Sequence, residues 1–146
     1  MKKNPPNLSP LILFSEIATI DQLIRAQISK SLPHGMAISH LSVLNHLSSM
    51  TNEKTPVQLA NSFHVTKGAM TNTLSRLEKS GYIHIRPDSN DARRKLVTIS
   101  KSGLAAQQTA IISITPVITK TINKLGKEKA DSVLRIIREL RHILSN

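Results

Sequence analysis

The chain has 146 residues, and 20 lysines and arginines against 9 acidic residues give it a formal net charge of +11. This excess indicates a polyanionic partner, with nucleic acid ahead of an anionic membrane surface, and the length fits one domain. Because the sequence contains no cysteine, it excludes disulfides, thiolate nucleophiles, cysteine-based metal sites and thiol redox switches.

The positive charge is concentrated in the middle third of the chain, where residues 53–101 carry 9 cations and 4 anions. Residues 102–119 lack ionisable side chains, but Gln107, Gln108 and Pro116 interrupt their apolar residues, so they make a poor membrane span. Residues 1–10 lack the apolar core of a signal peptide. These features predict a cytoplasmic protein that does not insert into a membrane.

The first 50 residues predict two helices. Four apolar residues recur at the spacing of one helix face and define a long first helix over residues 8–32: Leu13, Ile17, Ile20 and Ile24. Gly35 marks a break, and Ser39 is the expected N-cap of a second helix that ends near Met50. A polar linker is expected at 51–54.

Residues 55–79 have the pattern of two short helices joined by a tight turn. Thr55 and Gln58 form a capping box for the first of them. Thr66 is the expected N-cap of the second, which runs to Lys79 and is followed by Gly81 as a C-terminal glycine. Three residues form the buried stripe of this second helix: Met70, Leu74 and Leu77. The pattern predicts a helix-turn-helix.

The turn and the outward face of the second helix have features of a DNA-binding unit. Ala60 is small enough to let the two helices cross closely, and His64 stands where a positive φ is expected. Subtraction of the buried stripe leaves small or hydrogen-bonding residues that can approach bases and phosphates: Lys67, Gly68, Thr71, Asn72, Ser75 and Arg76. An ordinary helical hairpin with a polar surface is the alternative interpretation.

A predicted β-hairpin follows, with strands at 82–86 and 96–99. Its loop at 88–95 ends in three consecutive cations, Arg93, Arg94 and Lys95, which repel one another unless something negative faces them. A hairpin tip of this shape and charge fits a DNA groove. Considered alone, the loop is also consistent with a solvated turn.

Two long helices complete the predicted chain. Ser100 is the expected N-cap of a helix over residues 102–124, bent at Pro116, and Gly126 separates it from a final helix. The final helix carries an apolar stripe: Val133, Ile136, Ile137, Leu140 and Leu144. One small core does not need three long apolar-striped helices, so we expect the first and last two helices to be buried in a two-fold homodimer.

Other classes of function find less support in the sequence. The six histidines are scattered, and no zinc-protease run, nucleophile elbow or phosphate-binding loop is present, so neither an enzyme nor a cofactor is expected. His40 and His46 are six residues apart, which does not suit a metal site on a helix. An architectural DNA-binding or RNA-binding protein without sequence preference stays an alternative.

The chain resembles the MarR family of bacterial winged-helix transcription regulators over nearly its whole length. The most specific motifs are Leu77-Glu78-Lys79-Ser80-Gly81-Tyr82-Ile83, Arg86-Pro87-Asp88, Asp91-Ala92-Arg93 and Leu96-Val97-Thr98-Ile99-Ser100-Lys101-Ser102-Gly103. This resemblance implies a mainly α (α+β) fold, in which a winged helix-turn-helix lobe at 38–100 lies between long dimerisation helices at 8–32 and 101–146.

The resemblance also implies roles for individual residues. In the family the hairpin loop is the wing, and an arginine at its tip enters the minor groove, a role that falls on Arg93. Asp91 matches the acidic residue that holds this arginine, Arg94 and Lys95 are expected to contact phosphates, and Ser89 stands where many members have proline. The recognition helix of the family corresponds to the second helix of the helix-turn-helix, which implies DNA contacts from Thr66, Lys67, Gly68, Thr71, Asn72, Ser75 and Arg76.

The implied function is transcriptional regulation by a homodimer that binds double-stranded DNA. The two recognition helices of a dimer would enter successive major grooves of a pseudo-palindromic operator, roughly 34 Å apart. Many family members bind small aromatic or lipophilic anions between the dimerisation helices and the DNA-binding lobe, here in a pocket lined by the first, second and fifth helices. Repression, with release by such a ligand, is the expected mode of action.

Overall fold

The computed structural model describes residues 9–146, so position 8, the expected start of the first helix, lies outside the described residues. The described chain is mainly helical with one two-stranded sheet, which confirms the predicted fold class. In chain order the elements are α1 (Ser9–Ser31), α2 (Ile38–Ser48), α3 (Pro56–Ser62), α4 (Lys67–Lys79), β1 (Ile83–Pro87), β2 (Lys95–Ile99), α5 (Lys101–Leu125) and α6 (Lys127–Ser145). Within residues 9–146, no helix combines the length and the apolar character that crossing a membrane requires.

The prediction that Ser39 caps α2 is wrong. Ala37 is the N-cap, with an extended backbone (φ −92°, ψ 160°), so Ser39 already lies inside the first turn of the helix. The N–H of Ala37 donates to Nδ1 of His40 at 3.1 Å. A histidine ring thus accepts, at the third position of the helix, the hydrogen bond that glutamate or glutamine accepts in a capping box.

The helix-turn-helix forms as predicted. Oγ1 of Thr55 accepts the N–H of Gln58 at 3.2 Å, and Oε1 of Gln58 accepts the N–H of Thr55 at 2.9 Å. Oγ1 of Thr66 accepts the N–H of Ala69 at 3.1 Å and so caps α4. In the turn between the two helices, His64 has the expected positive φ, 52°.

The core of the winged lobe lies between α2, α3, α4 and the hairpin. Leu44, Leu59 and Val97 are completely buried, and Leu77 of α4 packs in the same cluster. Ala60 is also buried, which confirms that a small residue lies where α3 and α4 cross. Burial of each large side chain contributes about 1.5–3 kcal/mol, so this cluster fixes α4 against the rest of the lobe.

The two strands of the hairpin are antiparallel, with Ile83 opposite Ile99 and Ile85 opposite Val97. The segment at 51–54 is more than the expected polar linker, because Lys54 forms a β-bridge with the free edge of β2. The N–H of Val97 donates to the carbonyl of Lys54 at 2.7 Å, and the reverse bond is 3.4 Å long. The middle of β2 is therefore hydrogen-bonded to the chain between α2 and α3.

A close junction connects the end of α4 to the start of α5. Gly81 has φ 75°, and its carbonyl accepts hydrogen bonds from the hydroxyls of Ser100 (2.6 Å) and Ser102 (2.9 Å). Gly103 lies against the backbone of Tyr82, where an added Cβ would be 1.9 Å from the carbonyl oxygen. The serine-rich start of α5 thus fixes the position at which α4 ends.

The long helices are mostly unburied in the single chain. Neither α1 nor α6 has a buried residue within the described part of the chain. α5 is continuous through Pro116 and packs on α2 through a small cluster around Leu41 and Ala110. Gly126, with φ 93°, separates α5 from α6 as predicted.

Candidate nucleic-acid interface

α4 has one buried face and one exposed face. Met70, Leu74 and Leu77 lie in the core at the spacing that the sequence predicted. The seven residues of α4 and its N-cap to which the sequence assigned DNA contacts are exposed, and we call this set the outward face: Thr66, Lys67, Gly68, Thr71, Asn72, Ser75 and Arg76. The core cluster leaves these side chains free to contact a partner.

The charges of α4 favour a polyanion. Lys67 lies in its first turn, and the unpaired backbone N–H groups at a helix start add partial positive charge there. Arg76 and Lys79 lie near the other end, and Glu78 is the acidic residue of the helix. No side chain of the outward face carries negative charge, so its electrostatics suit phosphates and the acceptor-rich edges of bases.

The loop between the strands has a defined conformation. The N–H of Asp88 donates to the carbonyl of Arg94 at 2.9 Å, and the N–H of Asn90 donates to Oδ1 of Asp88 at 3.0 Å. The N–H of Arg94 donates to the carbonyl of Asp91 at 2.9 Å. Backbone and carboxylate hydrogen bonds therefore order the loop, even though Ser89 stands where many family members have proline.

Asp91 holds the side chain of Arg93 at the tip of this loop. Nε of Arg93 lies 3.1 Å from Oδ1, and Nη2 lies 3.4 Å from Oδ2. The hydrogen bonds from the side chain and then the backbone of Arg93, with a smaller effect of the Arg94 charge, lower the pKa of Asp91 below 3.8. The side chain of Arg93 is nevertheless 91% exposed, so its position suits contact with a partner.

The other two loop cations are also exposed. Arg94 precedes the sheet, whereas Lys95 is the first residue of β2 and lies opposite Pro87. The three consecutive cations Arg93, Arg94 and Lys95 therefore extend from the loop into the first residue of β2. All three side chains are exposed on the protein surface. The phosphate contacts expected from Arg94 and Lys95 stay predictions.

An ion pair that no local sequence pattern predicts lies near the loop end of β1. Nη2 of Arg86 contacts both carboxylate oxygens of Glu53, at 2.5 and 2.6 Å. The two residues are 33 positions apart, so no local pattern indicates their contact. Together with the bridge at Lys54, this pair orients the hairpin relative to the helix-turn-helix.

A groove of about 390 Å³ lies behind α4. Its walls come from α1, α2, the turn between α3 and α4, and α4 itself, whereas α5 was expected to line such a pocket. Most of the wall is apolar, and Arg25 of α1 is its cation, paired with Asp21 at 2.9 Å. The lining residues are Arg25, Ile38, Ser39, Ser42, Val43, Phe63, Val65, Ala69, Met70, Asn72 and Thr73.

The histidines on α2 have separate environments. The ring of His40 caps the helix, whereas His46 packs edge-on against Phe63 with ring centroids 5.3 Å apart. Residues 9–146 hold no group of three or more side chains that could bind a metal ion. The His40 ring therefore has a capping role, whereas Nε2 of His46 is buried without a hydrogen-bond partner among the described residues.

Known proteins match this chain in sequence and in fold. Residues 34–94, which cover most of the winged lobe, match the model of the MarR family. The transcriptional activatory protein BadR of Rhodopseudomonas palustris is 34% identical over 71 residues. That alignment covers 47% of this chain and 41% of BadR, so it spans less than half of the relative.

Solved structures share the fold over nearly the whole chain. The transcriptional regulator BldR of Sulfolobus solfataricus has a TM-score of 0.80 at 24% identity, with 94% of this chain and 96% of BldR covered. The MarR C80S mutant of E. coli, solved with operator DNA, has a TM-score of 0.81 at 21% identity, with coverage of 93% and 99%. The PcaV regulator of Streptomyces coelicolor, solved with its natural ligand, has a TM-score of 0.79 at 16% identity, with coverage of 96% and 98%. Residues 34–94 therefore resemble the MarR family in sequence, and the likeness to these solved structures shows the fold.

Proposed function

We propose that this protein is a cytoplasmic transcriptional regulator that binds a pseudo-palindromic operator in double-stranded DNA as a homodimer. The observation that carries the proposal is the pairing of two exposed elements in one lobe. One is the outward face of α4, and the other is the hairpin tip on which Asp91 holds Arg93. In this proposal α4 is the recognition helix, the hairpin is the wing, and residues 38–100 form the DNA-binding lobe.

The recognition helix supplies base contacts in the major groove. Thr71 and Asn72 lie on the outward face, and an asparagine amide can pair with an adenine edge through two hydrogen bonds. Gly68 leaves open space around its Cα, which allows the backbone to approach the DNA closely. Lys67 and Arg76 bind phosphates and so set the position of the helix in the groove.

The wing supplies a minor-groove contact next to the major-groove contacts. The guanidinium of Arg93 uses two of its five donors on Asp91 and keeps the others for base edges or phosphates. Arginine suits a narrow minor groove because the negative potential of the DNA is strongest there. Arg94 and Lys95 contact the adjacent phosphates in this arrangement.

The long helices form the dimer interface. Most of the exposed large apolar side chains in the described residues lie on α1, α5 and α6, including Ile24, Ile112 and Ile143. Apolar patches of this extent are rare on soluble monomers and mark interaction surfaces. A second copy covers them in a two-fold arrangement and places two recognition helices one turn of DNA apart, about 34 Å. The dimerisation segments are residues 8–32 and 101–146.

The groove behind the recognition helix is the proposed site for a small aromatic or lipophilic anion. Its apolar walls suit an aromatic ring, and Arg25 provides a counter-charge at one end. Asn72 belongs to both the groove and the outward face, so a ligand here would change the DNA-contacting helix directly. Release of DNA by aromatic acids, lost in Arg25→Gln, would support this site; equal release from both proteins would place the ligand elsewhere.

Repression is the proposed effect on transcription. The relative BadR is named as an activatory protein, so the reporter assay must be able to record either sign. Deletion of the gene should raise expression from a promoter that contains the operator. A fall in expression would make the protein an activator and would leave its DNA-binding function intact.

Selection of bound duplexes from a random pool tests the DNA-binding function. We expect a pseudo-palindrome with half-sites about one helical turn apart and a preference of about 10³ or more over random duplex at fixed salt. Asn72→Ala should alter the selected bases at specific positions, whereas Lys67→Ala should weaken all duplexes by a similar factor. Binding without base preference would instead favour an architectural role, and preference for RNA would favour an RNA-binding role.

A further inference from the structure

His40 of α2 takes no part in the proposed DNA contacts. It is buried, and its ring is hydrogen-bonded to the backbone. The residue is 9% exposed, and its Nδ1 accepts the N–H of Ala37 at 3.1 Å. The bond requires Nδ1 to be unprotonated, so the ring proton lies on Nε2 and the side chain is neutral. The start of α2 therefore depends on the protonation state of one histidine.

The groups around His40 oppose a positive charge on its ring. Burial is the main cause that lowers the pKa of His40 below its ordinary value of 6.5, and the charge of Arg76 on α4 lowers it further. A cavity of about 120 Å³ beside the ring is also lined by His34, Ser80 and Tyr82. Among the described residues that line this cavity, none is acidic, so none compensates for an added proton.

On the side of α1 and α5, the residue next to His40 packs in an apolar cluster. Leu41, the neighbour of His40, packs against Ala110 and Ile114 of α5 and against Ile28 near the end of α1. These contacts are apolar. Arg76 of the outward face is the charged group that acts on His40, and it lowers the pKa of the ring.

We propose that neutral His40 is a positioning residue for the recognition helix, which it holds through the capped start of α2 and the packing of α2 on α4, and that protonation of its ring releases this arrangement. The proposal rests on the proposed DNA-binding function. A proton on Nδ1 removes the acceptor for the N–H of Ala37, and it adds a positive charge that the charge of Arg76 disfavours. Because α2 packs directly against α4, both changes act on the helix that contacts DNA.

The direction of the pH effect follows from the lowered pKa. The released state binds a proton at the ordinary value of 6.5, whereas the folded arrangement resists protonation. The stabilising effect of His40 is therefore fully present above 6.5 and is lost as the pH falls below that value. Protonation of exposed histidines has the opposite effect on DNA binding, because it adds positive charge near a polyanion.

The chain itself offers a replacement that keeps the cap and cannot titrate in this range. Gln58 occupies the same position in α3, where its Oε1 accepts the N–H of Thr55 at 2.9 Å. His40→Gln should preserve the acceptor for Ala37 at every pH, whereas His40→Ala removes it. His142→Gln on α6 is the matched control, because it removes an exposed histidine.

The first test compares the DNA affinity of these proteins between about pH 7.5 and about pH 5.5 at constant salt. We expect the wild type and His142→Gln to lose more affinity than His40→Gln as the pH falls, because only His40→Gln keeps the acceptor for Ala37. At neutral pH, His40→Gln should bind like the wild type and His40→Ala more weakly. Equal pH profiles for the wild type and His40→Gln would overturn the proposal.

The second test uses the free wild-type protein and does not depend on DNA binding or on the folding of a variant. Nuclear magnetic resonance of the ring nitrogens should show Nδ1 of His40 unprotonated at neutral pH. The backbone amide of Ala37 and Nε of Arg76 should then shift with the same midpoint as the His40 ring during acidification. If those resonances do not change as His40 titrates, the positioning role of His40 is wrong. If they change with it but the protein prefers no duplex sequence, only the DNA-binding proposal fails.

Discussion

Asp91 accepts three hydrogen bonds from Arg93, one from the backbone N–H and one from Nε, both at 3.1 Å to Oδ1, and one from Nη2 at 3.4 Å to Oδ2. The two residues are two positions apart, with Ala92 between them, so the loop backbone itself brings the carboxylate to the guanidinium. An exposed pair of this kind adds little to the stability of the fold. Its effect is to restrict the directions that a long, exposed side chain can take before it meets DNA.

Arg93→Ala should weaken binding to the operator by about 1–3 kcal/mol, because it removes a minor-groove contact without a change in the core. Thermal unfolding and the oligomeric state should be unchanged. Arg138→Ala, which removes an exposed arginine of α6, is the control for net charge. Equal losses in both variants would show that Arg93 contributes only to the overall charge.

Asp91 should titrate below its ordinary pKa of 3.8, because its hydrogen bonds with Arg93 stabilise the carboxylate. The order of the loop that depends on this pair should be present above 3.8 and lost as the pH falls through the lowered pKa. Carboxyl carbon chemical shifts in the wild type and in Arg93→Ala provide the measurement. We expect the midpoint to rise in the variant, and an unchanged midpoint would contradict the contact.

Gly103→Ala should destabilise the winged lobe by several kcal/mol, because the added Cβ meets the carbonyl oxygen of Tyr82 at 1.9 Å. Gly68→Ala is the matched control in another helix, since a Cβ there meets nothing within 4 Å. The control should be neutral or gain up to about 1 kcal/mol from helix propensity. Urea unfolding compares the two, and similar midpoints would show that the α4–α5 junction is not close-packed.

Ile137→Asp should convert the dimer to monomers, because it places a charge on the apolar surface of α6 that a second copy covers. Val57→Asp on α3 is a close control, since both side chains are 44% exposed in the single chain. Sedimentation equilibrium should detect monomers only for the Ile137 variant. A wild-type protein that sediments as a monomer at all concentrations would contradict the proposed interface.

The features that the sequence predicted well depend on residues close together in the chain. The buried stripe of α4 repeats at helical spacing, Thr66 and Thr55 are strong N-caps, and the contact of Asp91 with Arg93 spans two positions. Each of these patterns determines a local structure that the tertiary fold then keeps.

The features that the sequence did not predict need contacts between distant segments or a residue in an unusual role. The pair of Glu53 with Arg86 joins segments that only the folded hairpin brings together. Ala37 has no side chain that marks an N-cap, so Ser39 was the stronger local signal and the histidine acceptor went unrecognised. The groove at Arg25 depends on how α1 crosses the winged lobe, which helical periodicity does not determine.

The most direct test of the central claim is the equilibrium affinity of the dimer for the selected pseudo-palindrome and for a shuffled duplex of the same composition, at the same salt concentration. We predict a ratio of about 10³ or more in favour of the pseudo-palindrome, with two protomers bound per duplex. The ratio should fall towards one when Asn72→Ala and Arg93→Ala are combined. Equal affinity of the wild type for both duplexes would contradict a sequence-specific regulator.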